Sequence, residues 1–155
     1  MKQNKEKISI FIRKLRKYAR IYKIFVRNDK IYVKDKLCMY LVKDIIKDLP
    51  VTYVNSPKTA TKIVIPFTLD DEVNLFLHSM FTKTEQKKDP RIVKLFRPLT
   101  DDELVILSKS LKLPFKPNKK DPKLKEMVDI LHKSHPEIKP ALLKSAEDMK
   151  NLMKK

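Results

Sequence analysis

The 155-residue chain contains no glycine, no tryptophan and a single cysteine, Cys38. Because glycine supplies positive φ angles and lets backbone approach a phosphate closely, its absence excludes an intact glycine-rich phosphate-binding loop. One cysteine forms neither an internal disulfide nor a multi-cysteine metal site. No apolar run approaches the roughly 18 residues that span a bilayer, and no apolar signal segment follows the basic N-terminus. We therefore expect a cytoplasmic protein.

Positive charge is abundant, and it is unevenly distributed. The chain carries 36 Lys and Arg against 19 Asp and Glu, a formal net charge of +17. Residues 1–62 hold 17 basic against 5 acidic residues, residues 63–113 hold 8 of each, and residues 114–155 hold 11 against 6. A lysine-rich surface also occurs in thermophilic proteins that bind no nucleic acid. The neutral middle between two basic ends favours a polyanion-binding side, to which both ends contribute.

Residues 5–24 have the pattern of an amphipathic helix. Apolar residues recur three and four positions apart, and basic residues cover much of the remaining surface. A core-packed helix with a solvated face and a membrane-surface helix are alternatives to a phosphate-binding helix. The apolar residues are Ile8, Ile12, Leu15, Ala19 and Tyr22. The predicted RNA-binding residues, here and later in the chain, are Arg13, Lys14, Arg16, Lys17, Arg20, Lys23, Lys34, Lys36, Arg97, Lys116, Lys119 and Lys120.

The rest of the chain alternates short strands with helices. This alternation predicts an α/β fold with a small, mostly parallel sheet flanked by helices, followed by a helical C-terminal segment. We expect an α/β domain over residues 1–115 and a helical extension over 116–155. Thr68 and Thr100 are expected helix N-caps, the latter in a capping box with Glu103. Strands are predicted at 30–34, 51–54, 62–65 and 91–96, helices at 38–48, 69–82, 101–111, 121–134 and 140–154, and a polar loop at 83–90.

Three segments, taken in order, resemble the PP-loop ATPase superfamily, specifically its tRNA 2-thiolation branch. In residues 61–80 a strand leads to Leu-Asp-Asp-Glu at 69–72, which opens a helix, as in the family. In residues 91–115 a strand and a turn lead to a glutamate-bearing helix, and in 135–149 a Pro-x-x-Lys stretch precedes a Leu-Leu-x-Ser helix. The matching residues of these last two segments are Arg97, Pro98, Leu99, Glu103, Pro136, Lys139, Leu142, Leu143 and Ser145.

The nucleotide-binding loop of that family is degenerate in this chain. The family's Ser-Gly-Gly-x-Asp-Ser motif is replaced by Lys34, Asp35, Lys36, Leu37, Cys38 and Met39. Every replacement carries a β-carbon, so the loop is not expected to form the backbone nest that wraps phosphates. Pro66, Phe67 and Thr68 occupy the family's Gly-His-Asn-type turn, and its paired catalytic cysteines and zinc-binding clusters are missing. The resemblance thus implies a shortened member, with no bound cofactor or metal expected.

Two features could carry residual chemistry. Asp70 and Asp71 correspond to family site residues, although acidic residues also stabilise a helix N-terminus without any ligand. Cys38 could carry sulfur if its pKa were lowered, but a lone cysteine more often packs as a small apolar side chain. His78, His132 and His135 have no metal-ligand pattern around them. No catalytic residue is assigned.

Three functions remain open at this stage. The first is a non-catalytic subunit that binds or scaffolds tRNA beside an intact, ATP-using thiolation enzyme. The second is a general RNA-binding or ribosome-associated protein unrelated to thiolation, and the third is a residual sulfur-transfer enzyme that uses Cys38. A shortened sheet leaves an edge or face uncovered. We therefore expect a homodimer or a heteromeric partner such as an intact thiolation enzyme.

Overall fold

The computed structural model describes residues 2–82 and 89–153, which form two compact units. Of the described residues, the first comprises 2–68 with 89–116, and the second comprises 69–82 with 117–153. Most of the loop predicted at 83–90 lies outside the described residues. The elements in chain order are α1 (Lys2–Ile21), β1 (Lys30–Val33), α2 (Lys36–Ile45), β2 (Thr52–Tyr53), β3 (Lys62–Ile65), α3 (Leu69–Thr82), β4 (Ile92–Lys94), α4 (Asp101–Leu111), α5 (Pro122–Ser134) and α6 (Ile138–Met153).

The first unit contains a four-stranded sheet in the order β2-β1-β3-β4, and every strand pair is parallel. In the central pair Val33 lies opposite Val64, and Val64 lies opposite Val93 on the other side. The predicted α/β class is confirmed, and the sheet is wholly rather than mostly parallel. Strands 62–65 and helices 69–82 and 101–111 have the predicted bounds, whereas β2 and β4 are shorter than predicted. Short edge strands offer few unpaired backbone groups to other chains.

The core of the first unit lies between the sheet and its helices. Leu15 of α1, Leu41 of α2 and Leu104 of α4 are fully buried in one apolar cluster with Ile31 of β1. From the predicted stripe on α1, Leu15 belongs to this cluster and Ile8 and Ile12 pack against it, and Phe11 adds to it. Tyr22 lies beyond the end of α1 and is exposed, so its place in the stripe is corrected.

The second unit consists of α3, α5 and α6. Leu69, Val73 and Leu77, spaced four apart on α3, pack with Val128 of α5 in a separate apolar cluster. Leu142 and Leu143 of α6 contact the same cluster. Sequence reasoning assigns residues 69–82 to the α/β domain, whereas in the structure α3 belongs to the same compact unit as the C-terminal helices.

Left-handed backbone occurs here without glycine. Lys23, Asn28 and Lys112 have φ angles of 47°, 68° and 55°. Lys112 is the C-cap of α4, and the Lys112 N–H donates to the carbonyls of Lys109 and Ser108 at the end of that helix. A β-carbon at this position crowds the following carbonyl, which is why glycine or asparagine is usual there. Asn28 follows this preference, whereas Lys23 and Lys112 depart from it.

Candidate nucleic-acid interface

One face of α1 is a continuous stripe of positive charge. Arg13, Arg16, Lys17 and Arg20 follow one another at spacings of three, one and three residues, which places them on neighbouring turns of the same face. All four are exposed, because the buried face of the helix is defined by Phe11, Leu15 and Ala19 on the opposite side. We call Arg13, Arg16, Lys17 and Arg20 the α1 cationic stripe.

Little negative charge compensates this stripe. The Arg16 guanidinium pairs with Asp44 of α2 at 2.8 Å, and both side chains are partly exposed. Among residues 2–82 and 89–153, Arg13, Lys17 and Arg20 form no salt bridge. Like charges three and four residues apart on a helix repel one another by a few tenths of a kcal/mol per pair. The stripe therefore costs local stability that an external anion would recover.

Lys14 does not belong to the stripe. The Lys14 ammonium points towards α4, where it lies 3.4 Å from Glu103 Oε1. Glu103 is also the third residue after the N-cap Thr100, whose hydroxyl accepts a 3.2 Å hydrogen bond from the Glu103 N–H. The cap at Thr100 is thus confirmed. The carboxylate of Glu103 turns to Lys14 instead of completing the capping box, so Lys14 acts between helices of the first unit.

An open groove of about 760 Å³ runs beside the stripe, between α1 and the end of α2. All four side chains of the α1 cationic stripe line it, together with one carboxylate, Asp48. The rest of the lining is apolar: Ala19, Phe25, Ile45, Ile46 and Leu49. A cationic border over an apolar floor suits a ligand that has both an anionic part and an uncharged planar or apolar part.

The connection from β1 to α2 contains the residues of the predicted degenerate loop, and one of its own side chains caps the helix that follows. Only Lys34 and Asp35 separate the strand from the helix. Asp35 is the N-cap of α2, and its carboxylate accepts a 2.8 Å hydrogen bond from the Cys38 N–H. A helix N-terminus binds a phosphate through such N–H groups. Here the chain supplies the anion, so a phosphate cradle does not fit at this position.

Cys38 lies in the core of the first unit, fully buried within the apolar cluster. Burial raises the pKa of the Cys38 thiol far above its ordinary value, and the nearby Asp35 carboxylate raises that pKa further. A thiol in this environment stays protonated at neutral pH, whereas sulfur transfer requires the thiolate. The geometry therefore agrees with the reading of Cys38 as a small apolar side chain.

The remaining predicted RNA-binding residues are scattered over both units. Lys23, Lys34 and Lys36 are exposed in the first unit, as is Lys116, while Arg97 is partly buried just after β4. Lys119 is exposed in the second unit. They do not adjoin the α1 groove as lining residues. The structure brings together one subset of the prediction, the α1 cationic stripe.

Lys120 has a different role from the one predicted by charge alone. The Lys120 ammonium lies 2.9 Å from Asp71 Oδ1, and the two side chains are 6% and 4% exposed. The other oxygen of Asp71 accepts a 2.8 Å hydrogen bond from Asn118. The Lys120 side chain is thus buried against an acidic residue of its own unit. It therefore does not belong to an RNA-binding surface.

Asp70 and Asp71 both belong to ion pairs of the second unit. Asp70 Oδ1 lies 2.6 Å from the ammonium of Lys139 on α6, and Asp71 pairs with Lys120. These contacts connect the first turn of α3 to the segments that follow residue 116 in the chain. Both acidic residues therefore have a structural role, whichever ligand the resemblance implies for them.

The donor set for metals is poor. No three side chains from His, Cys, Asp and Glu come together in a metal-binding arrangement within the described ranges 2–82 and 89–153. Iron–sulfur clusters are held by several cysteine thiolates, and this chain has one cysteine, buried in the core. An iron–sulfur cluster therefore does not fit the residues present.

Sequence reasoning missed the floor of the groove and the cap of α2. Phe25 follows α1, whereas Ile45 and Leu49 lie at and just after the end of α2, and no local pattern indicates that these two segments meet. The cap did have a signal. An aspartate three residues before Cys38 is a typical N-cap, but the helix was predicted to begin at residue 38, two residues too late.

The sheet order and the all-parallel pairing define the class of the protein: an α/β fold with a helical C-terminus. Among solved structures, the U34-tRNA thiolase NcsA from Methanococcus maripaludis, with its 4Fe-4S cluster, is similar to this chain with a TM-score of 0.69. The match covers 94% of this chain and 79% of that one, at 17% sequence identity. No protein-family model matches the sequence, and no curated protein does. The likeness shows a shared fold.

No helix within the described part of the chain has both the length and the apolar content that crossing a bilayer requires.

Proposed function

We propose that this protein is a non-catalytic RNA-binding subunit related to tRNA-thiolation enzymes, which binds tRNA or scaffolds it beside an ATP-using partner. The observation that carries the proposal is the α1 cationic stripe. Three of its four charges have no acidic partner in the described residues. Lys and Arg side chains that neutralise phosphates release counterions, which supplies much of the affinity for nucleic acids.

The link to tRNA rests on the fold. One solved structure that shares this fold is that of a U34-tRNA thiolase. An RNA-binding surface on the same scaffold fits a protein that handles the same class of RNA. A general RNA-binding protein is the second candidate, because nothing in the stripe itself selects one structured RNA over another.

The non-catalytic part of the proposal rests on the β1–α2 connection and on Cys38. The Asp35 carboxylate occupies the Cys38 N–H at the helix N-terminus. A nucleotide phosphate at this place would meet a negative charge in addition to losing that donor. The pKa of the buried Cys38 thiol is raised rather than lowered, which argues against a residual sulfur-transfer enzyme.

A protein partner is part of the same proposal. On α5, Met127, Ile130 and Leu131 are exposed apolar residues at helical spacing, and Ile130 is 59% exposed. Such a face is typical of a surface covered by another chain. Either a second copy or an intact thiolation enzyme would cover it.

The test is a filter-binding titration with bulk tRNA and an unrelated duplex RNA at low and moderate salt, with and without ATP. The proposal expects tighter binding to tRNA than to duplex, and no effect of ATP. Equal affinity for both RNAs would favour the general RNA-binding protein. Absence of binding to either RNA at moderate salt would refute an RNA-binding role.

A further inference from the structure

We propose that the groove between α1 and α2 holds a single unpaired nucleotide of the bound RNA, a base displaced from its helix. This inference rests on the proposed RNA-binding function and specifies its ligand. The groove has two distinct surfaces. Arg13, Lys17 and Arg20 provide a cationic border, and Phe25, Ile45 and Leu49 provide an apolar floor.

A continuous RNA duplex would use only one of these surfaces. Its outside presents phosphates, while its base faces are stacked and inaccessible. Recognition of unpaired RNA typically combines a basic groove with apolar and aromatic side chains against the base face. The floor residues contact the core of the first unit while remaining partly exposed. They therefore offer apolar surface that a duplex leaves unused.

The volume and the charge of the groove also allow one nucleotide to bind. The groove volume of about 760 Å³ lies within the range of roughly 300–1,000 Å³ for pockets that take small molecules. The phosphate would bind the cationic border and the base would lie on the floor. The Asp48 carboxylate supplies an acceptor in the same groove, suited to a base amino group or a ribose hydroxyl.

The combination of a cationic border and an apolar floor favours RNA over an acidic peptide as the ligand of this groove. An acidic peptide would find the positive charges, but its flexible side chains would not give the floor a planar face. Four cationic side chains and one carboxylate line the groove, which favours a ligand with negative charge. The five apolar lining residues favour a ligand with a planar face.

The experiment compares a blunt RNA duplex with the same duplex carrying one bulged nucleotide. The wild-type protein should bind the bulged RNA about tenfold more tightly, since contacts to one base face are worth about that factor. Leu49→Ala and Phe25→Ala, which each remove part of the apolar floor, should each abolish the preference for bulged RNA. Ile106→Ala, which truncates an exposed apolar side chain of α4 outside the groove, is the matched control and should retain the preference.

The outcomes separate this inference from the function on which it rests. Equal binding of bulged and blunt RNA would overturn the nucleotide site and leave RNA binding intact. A preference that survives in both groove variants, each checked for an unchanged thermal transition, would overturn the location. Displacement of bulged RNA by an acidic peptide of equal charge at equal concentration would assign the groove to protein. Failure to bind either RNA would refute both proposals.

Discussion

The carboxylate of Asp35 accepts a hydrogen bond of 2.8 Å from the backbone N–H of Cys38. This contact begins α2 and brings a negative charge to a helix N-terminus, a place where backbone N–H groups can bind a phosphate. One side chain therefore both stabilises the helix and removes an anion site.

Replacing Asp35 tests the cap. Asp35→Ala should lower the free energy of unfolding by about 1 kcal/mol, because the Cys38 N–H loses its acceptor. Asp35→Asn should be close to neutral, since asparagine is an equally good N-cap. Urea denaturation followed by circular dichroism measures both. An equal loss in the two variants would show that the charge of Asp35, rather than its hydrogen bond, stabilises α2.

The buried thiol makes stability depend on pH. Burial raises the pKa of Cys38 in the folded state, so folding favours the protonated form. The resulting stabilisation is fully present below the unfolded-state pKa, about 8.5, and is lost as pH rises above it. Between pH 8 and 9.5 the free energy of unfolding should fall by up to about 1.4 kcal/mol per pH unit. Cys38→Ala should flatten this decrease.

The same burial predicts slow alkylation. Iodoacetamide should leave native Cys38 unmodified at pH 8 and label it fully in denaturant, as measured by intact mass. Rapid labelling of the folded protein would contradict the burial of the thiol and would revive the residual sulfur-transfer hypothesis.

The buried pair of Lys120 and Asp71 should be energetically important for the second unit. Asp71→Asn removes the carboxylate that lies 2.9 Å from the buried Lys120 ammonium, which should cost about 3–5 kcal/mol in urea unfolding. The matched control is the exposed pair of Lys125 and Asp129, 3.1 Å apart on α5. Asp129→Asn should cost less than about 1 kcal/mol. Similar losses in both variants would mean that the buried pair gains nothing from its environment.

The α1 cationic stripe should set the salt dependence of RNA binding. Arg13→Ala combined with Arg20→Ala should reduce the slope of log affinity against log salt by about 2, one per lost phosphate contact. The control, Lys58→Ala with Lys109→Ala, removes two exposed charges of the same unit outside the groove. An equal change in the two double variants would indicate that the protein binds RNA through its net charge rather than through this stripe.

The fold class was accessible from sequence because the strands alternate with long helices whose polar and apolar residues are regularly spaced. Helix 69–82 illustrates this, since its apolar residues at 69, 73 and 77 all reach one cluster. The assignment of charges was only partly accessible. Lys17 and Lys120 are the same residue type, yet Lys17 is exposed and lines a groove, whereas Lys120 is buried against Asp71. That difference depends on contacts between segments that are distant in sequence. Asp71 and Lys120, for example, are 49 positions apart, and a local pattern does not encode their contact.

The left-handed lysines show what it costs this chain to fold without glycine. A glycine at Lys112 would relieve crowding worth about 1–2 kcal/mol and would add roughly 0.4–1 kcal/mol of freedom to the unfolded chain. These effects oppose each other, so a fold without glycine is only slightly less stable than one that uses it. The larger consequence concerns selectivity. The α1 cationic stripe contacts an anion through long side chains that adjust to many positions of a phosphate, so these charges by themselves distinguish one polyanion from another poorly.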